Sequence, residues 1–235
     1  MTMESAPSLY EQAFQERVNY SDRYSCIFIH IPKAAGTTVA HLLGLPASSH
    51  LTYRELIQTK FFQHHSQTPI FTVMRDPIAR FFSLYYYARM PVSHYHNNID
   101  PAKALYGPHT DYSLLMNASP DEAIDHLIAG RLRHDRRWNQ WQPQANWILA
   151  TKSDSENPRI NVLRMESLAA GLQKLLQLNA VKLPHANRSS PTTSSPGLSP
   201  ESTAKLQAYY SHDYDLLSNH REHSSFPSES RPGCS

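Results

Sequence analysis

The chain has 235 residues, enough at roughly 100–200 residues per domain for one domain, or one domain with appendages, and enough to bury a core without disulfides or metals. Hydrophobic residues make up 40% and charged residues 18%, which excludes a charged disordered chain and a membrane bundle. A formal net charge of +2 is too small to argue for nucleic acid, and the two cysteines, Cys26 and Cys234, make neither a disulfide framework nor a metal motif.

The first 24 residues read as a polar N-terminal arm with one short amphipathic helix, and with no basic stretch leading into an apolar one. No apolar run anywhere approaches the roughly 18 residues needed to cross a bilayer. A soluble chain in a reducing compartment, the cytoplasm, is therefore the expectation. Residues 25–30 form a continuous run of apolar strand formers, the pattern of a buried parallel strand. Residues 32–36 turn the chain, and a helix begins at Thr37. A second buried strand, Ile70 to Met74, ends at Arg75. Asp76 is then a good N-cap and Pro77 a natural first residue for a helix reaching to about residue 89.

Residues 90–120 are irregular and rich in His, Tyr, Asn and Pro, and loops of that length are usually functional. Helices are expected near 120–130 and 142–150. Between them Arg131, Arg133, Arg136 and Arg137 stand beside Trp138 and Trp141, either as a solvated helix end or as a basic, aromatic-edged surface for an anionic or sugar-like ligand. A third strand over 159–164 leads into a helix at 166–177, with Glu166 favouring the helix N-terminus. A Ser/Thr/Pro loop over 184–200 precedes a last helix to about residue 218, and residues 221–235 read as a flexible tail. Alternating strands and helices with buried strands imply an α/β protein with a parallel sheet, whose ligands bind beyond the carboxyl ends of the strands.

Both of the first two strand ends carry unusual chemistry. Unpaired N–H groups at a helix N-terminus attract phosphate-like anions. At the first, Gly36 lets the backbone approach closely, Thr37 and Thr38 add hydroxyls, and Lys33 adds a mobile cation. The loop is not a Walker A, because its lysine precedes its glycine. At the second, Arg75 is suited to a two-pronged grip on phosphate, and Ser83 follows Asp76 by two helical turns. Taken singly, Lys33 also reads as an ordinary surface lysine, Arg75 as the partner of a carboxylate and Ser83 as a filler. Two anion-binding strand ends in one small sheet point to a ligand with two separated phosphate groups. Of the fourteen histidines, His64-His65 and His94-x-His96 lack the carboxylates or cysteines of a metal set, so no metal is expected.

Residues 27–38, Ile-Phe-Ile-His-Ile-Pro-Lys-Ala-Ala-Gly-Thr-Thr, resemble the 5′-phosphosulfate loop of sulfotransferases that use 3′-phosphoadenosine 5′-phosphosulfate. The nearest likeness is the branch holding heparan sulfate 2-O- and chondroitin sulfotransferases and their bacterial relatives. Residues 71–85 resemble that family's 3′-phosphate motif, whose Arg and Ser fall on Arg75 and Ser83. Weaker likenesses follow in the right order at His50–Leu56, Gln144–Leu149, Leu163–Leu168 and Leu183–Ser189. Ala34 departs from the usual loop threonine, and 90–120 matches nothing familiar.

The resemblance implies a P-loop-like three-layer fold and a sulfotransferase domain over residues 25–220. It implies a cosubstrate held by Lys33, Ala35, Gly36, Thr37 and Thr38 at one end and by Arg75 and Ser83 at the other. Asn187 and Arg188 are further candidates, for the cosubstrate or the acceptor, or else for a salt bridge that fixes their loop. The acceptor would be a hydroxyl compound, a sugar or glycan. Lys33 would stabilise the leaving phosphate and His50 would be the general base, with Glu55 orienting its ring and His64 and His65 as rivals. Two alternatives stay open at this point: a P-loop-like nucleotide kinase, and a non-catalytic nucleotide- or glycan-binding relative. Nothing in the sequence sets the oligomeric state.

Overall fold

The computed structural model describes residues 7–46, 48–91, 108–132, 139–151, 157, 159–180, 183 and 197–219. Among the described residues, four strands, β1 (Tyr20–Ser21), β2 (Cys26–Ile29), β3 (Ile70–Met74) and β4 (Ile160–Arg164), lie in that order in one sheet. The helices are α1 (Leu9–Gln15), α2 (Gly36–Leu42), α3 (Tyr53–Leu56), α4 (Lys60–His64), α5 (Pro77–Ala88), α6 (Tyr112–Leu115), α7 (Pro120–Ile128), α8 (Ala145–Ile148), α9 (Leu168–Leu175), α10 (Pro200–Tyr209) and α11 (Ser211–Asn219). β2 pairs with β3, and β3 with β4, in parallel. The α/β class expected from the sequence is the class observed.

β2 and β3 are buried at every position because both of their faces are covered, which is why neither run alternates with polar residues. On one face Cys26, Phe28, Phe71 and Val73 pack with Val39 of α2 and with Leu168, Leu172 and Leu175 of α9. Ile27 and Ile29 alternate to the other face. There they share a small cavity with Leu51 and with Leu56 of α3.

Tyr20 and Ser21, read from sequence as part of the arm, instead form β1, antiparallel to β2. The cause is Asn19. Its main-chain carbonyl accepts the Phe28 N–H at 2.9 Å, and its side-chain amide donates to the carbonyls of Phe28 at 2.9 Å and Ser49 at 2.8 Å. The Ser49 N–H returns to Asn19 Oδ1 at 2.7 Å. These bonds span up to thirty residues, so no local pattern announces them.

The chain divides into two compact units. The first comprises Met1–Arg75, Gln144–Ala186 and Asp215–Ser235 and contains the sheet. The second comprises Asp76–Pro143 and Asn187–Tyr214 and is helical among its described residues. Its core joins Phe81, Leu84 and Tyr85 of α5 to Ile124 and Leu127 of α7, Leu206 of α10, Tyr210 and Trp141. Tyr85 and Tyr87 are buried, so that tyrosine run serves packing.

Trp141 corrects the reading of an aromatic edge to a basic surface. It is wholly buried, donating its indole N–H to Asp111 Oδ2 at 2.8 Å and accepting the Tyr210 hydroxyl on its carbonyl at 2.8 Å. Arg133, Arg136, Arg137 and Trp138 lie outside the described residues. Two further differences are local. The segment expected to be irregular contains α6, and the single last helix is two, interrupted at Tyr210.

Candidate active site at the ends of β2 and β3

The turn after β2 holds two residues in the left-handed region, Lys33 at φ 66° and Ala35 at φ 60°. Non-glycine residues there cost energy and persist where the surroundings over-determine them, most often at functional sites. Chain that alternates between left- and right-handed conformations also turns successive N–H groups toward one concave side, which suits an anion. Ala35 caps α2 without a side-chain hydrogen bond. Thr37 is exposed and Thr38 buried in the first turn that follows.

Glycine at position 36 has a reason within the chain itself. A Cβ there would stand 1.7 Å from His30 Nε2 and 1.9 Å from His30 Cδ2. The imidazole of His30 therefore lies where any other side chain would begin. His30 Nδ1 is 2.7 Å from Ser48 Oγ. Burial first, then the charges of His50 and Lys33, hold the His30 pKa well below the ordinary histidine value, so this ring is neutral at pH 7.

Lys33 and Arg75 come together from neighbouring strand ends. Arg75 Nη1 donates to the Lys33 carbonyl at 3.5 Å. Burial, and secondarily the Arg75 charge, push the Lys33 ammonium down to about 8. The backbone of Arg75 is held by Gln144, which is wholly buried at the start of α8. Gln144 Oε1 accepts the Arg75 N–H at 3.0 Å, and Gln144 Nε2 donates to the Arg75 carbonyl at 2.8 Å. The sequence offered Gln144 only as the first residue of a weak likeness, with no role attached.

His50 lies beside the same loop. Its Nδ1 is 2.9 Å from the His30 carbonyl, and a carbonyl can only accept, so Nδ1 carries the hydrogen; when the ring is neutral, Nε2 carries the lone pair. The His30 and His50 ring centroids are 4.2 Å apart, and the buried Trp147 meets His50 edge-on at 6.0 Å. Glu55, expected to orient His50, is engaged at the start of its own helix. Its Oε2 accepts the Thr52 N–H at 2.8 Å and the Thr52 hydroxyl at 2.9 Å, a capping box at the start of α3. At Nδ1 of His50 the orienting group is the His30 carbonyl.

The rival histidines are engaged on α4 and just after it. His64 Nδ1 donates to the Lys60 carbonyl at 2.8 Å, and the His65 ring lies 4.9 Å from that of Phe61. Ser83 is buried on α5, in the helical unit. Asn187 and Arg188 lie outside the described residues. Among the described residues no three His, Cys, Asp or Glu side chains gather to hold a metal ion, and no helix is long and apolar enough to cross a membrane.

The family model described as "Sulfotransferase family" matches residues 16–218, which span both strand ends and the described helices after α1 through α10. No curated protein and no solved structure matches the chain.

Proposed function

Since the chain belongs to the sulfotransferase family, we propose that it transfers a sulfuryl group from 3′-phosphoadenosine 5′-phosphosulfate to a hydroxyl group of a carbohydrate. The observation that carries this reading is the meeting of Lys33 and Arg75 at adjacent strand ends, beside a turn bent at Lys33 and Ala35. An ammonium, a guanidinium, hydroxyls and main-chain N–H groups make a donor set suited to a ligand with several negative charges. Lys33, Ala35, Gly36, Thr37 and Thr38 take the 5′-phosphosulfate, and Arg75 takes the 3′-phosphate. For Ser83, Asn187 and Arg188, and for the sugar acceptor, the support is the sequence resemblance. The two cysteines without a framework support a reducing compartment.

When bound, the cosubstrate supplies the activated sulfuryl group. The chain supplies charge and a base. The Lys33 cation opposes the negative charge that grows on the leaving phosphate, which lowers the barrier more than it favours the ground state. His50, with its lone pair at Nε2, removes the acceptor hydroxyl proton as the acceptor oxygen bonds to sulfur. The His30 carbonyl keeps that lone pair in place, and Glu55 contributes by fixing the start of α3, at Tyr53, just beyond His50.

The test is a titration of 3′,5′-diphosphoadenosine into wild type and Arg75→Ala. The variant is expected to bind more weakly by about 1.5–3 kcal/mol, the worth of a charge-assisted hydrogen bond. Equal affinities would remove the assignment. His50→Ala is expected to bind the diphosphate as wild type does, while sulfation of a hydroxyl acceptor drops by about a hundred- to ten-thousand-fold. Turnover within a few-fold of wild type would show that His50 is not the base.

A further inference from the structure

Four observations converge on His30, a residue to which the reaction above assigns no step. Its ring occupies the position of a Gly36 side chain, with Nε2 1.7 Å from where that Cβ would be. Its Nδ1 meets Ser48 Oγ at 2.7 Å. Its main-chain carbonyl takes the Nδ1 hydrogen of His50 at 2.9 Å. Its ring lies 4.2 Å from that of His50. Only 8% of its surface is exposed, so the ring has little room to adopt another position.

We infer that His30 is a positioning residue that ties the phosphate-binding turn to the base. Its ring is a spacer wedged between Ser48 and Gly36, which sets where α2 begins and therefore where the N–H groups of Gly36, Thr37 and Thr38 point. Because the same residue presents the carbonyl that fixes the tautomer of His50, a displacement of the turn is also a displacement of the base. Gly36 follows as the other half of the device: it is glycine because His30 stands in its side-chain space, at a φ that any residue adopts. The inference deepens the proposed function and rests on its assignments of the turn and of His50.

The experiment is a double-mutant cycle of His30→Ala and Gly36→Ala. Alanine at position 30 keeps the main-chain carbonyl that meets His50 but lacks Nε2, Cδ2 and Cε1, the ring atoms that stand over Gly36. Melting temperature and the dissociation constant for 3′,5′-diphosphoadenosine are measured for all four proteins. Gly36→Ala alone is expected to weaken binding about tenfold or more and to lower the melting temperature. In the His30→Ala background the same change is expected to alter binding by less than about twofold and to leave the melting temperature nearly unchanged.

Losses that simply add would overturn the inference. If Gly36→Ala does not fold, folding of the double variant is the expected rescue, and failure of the double variant while His30→Ala folds overturns it. The melting temperatures need no ligand. A wild type that does not bind the diphosphate would thus remove the proposed function, while the thermal cycle still decides the role of His30.

A second readout separates positioning from packing. In nitrogen-15 spectra of the imidazoles, His50 is expected to show one tautomer, with hydrogen on Nδ1, in wild type and a mixture of both in His30→Ala. An unchanged tautomer in the variant would sever the link between the ring of His30 and the base.

Discussion

A lysine partly buried beside an arginine is a cation held against its own tendency to lose a proton, and Lys33 has its ammonium pushed down to about 8. The sign of the consequence is fixed. Below about pH 8 Lys33 is charged and attracts an anion, and as the pH rises through about 8 the unliganded protein loses that charge. The phosphates of the ligand, with second pKa values near 6, are already ionised and do not compensate. Affinity for 3′,5′-diphosphoadenosine is expected to fall by up to about tenfold per pH unit above about pH 8, and Lys33→Arg is expected to flatten the fall. Calorimetric titrations at about pH 7, 8 and 9 check this, and a wild-type affinity constant across that range would contradict it. Gln144 acts differently, by satisfying two part-buried main-chain groups of Arg75. Gln144→Leu leaves both without that partner at up to about 1–3 kcal/mol each, so urea unfolding is expected to show a loss of roughly 2–6 kcal/mol. A loss below about 1 kcal/mol would mean that the end of β3 is held by something else.

At the scale of elements, helices here are placed by side chains that reach across the fold. α5 begins with Asp76 accepting the Ala79 N–H at 2.8 Å and Pro77 in the first turn, as its sequence predicts. Its anchoring comes from Arg80, only 1% exposed, which donates to the carbonyls of Gln140 and Gln142. Burial lowers the pKa of this guanidinium, and Tyr210 and the buried Asp213 oppose that shift. Arg80→Leu takes a cation away from a buried acid and from two carbonyls, and is expected to cost about 3–5 kcal/mol in urea unfolding. Arg80→Lys is expected to restore only part, because an ammonium lacks the planar fork that meets two carbonyls at once. Full recovery in Arg80→Lys would reduce the role of Arg80 to charge alone.

At the scale of the whole molecule, the parallel pairing of β2 with β3 decides which residues meet. Ile27 lies opposite Ile70, so the ends of both strands emerge side by side and Lys33 reaches Arg75 across 42 residues of sequence. In the proposed reaction, charge at this site is handled by Lys33 and Arg75. Removing free metal with a chelator is therefore expected to leave sulfuryl transfer within about twofold of the untreated rate. A loss restored by a divalent cation would overturn that expectation.

Local pattern is enough for the buried strands, the cap of α5 and the identity of Lys33 and Arg75 as candidates, because apolar runs, capping residues and cation-bearing turns are set within a few residues of chain. The same holds for the α/β class, since strands buried on both faces must be covered by helices. It is not enough for β1, which depends on the bonds of Asn19 to Phe28 and Ser49, nor for the burial of Trp141. The reason for Gly36 was likewise hidden, because it lies in a ring six residues earlier that folds back over it. So was the role of Gln144, whose partner Arg75 is 69 residues away. Glu55 shows the converse. Its capping box with Thr52 follows a Thr-x-x-Glu spacing, but only the folded chain shows that Oε2 of its carboxylate is engaged there, and that Nδ1 of His50 meets a main-chain carbonyl. Sequence determines what each segment can form. Which distant groups then satisfy one another's hydrogen bonds, and so fix the site, is decided only when the sheet brings them within about 3 Å.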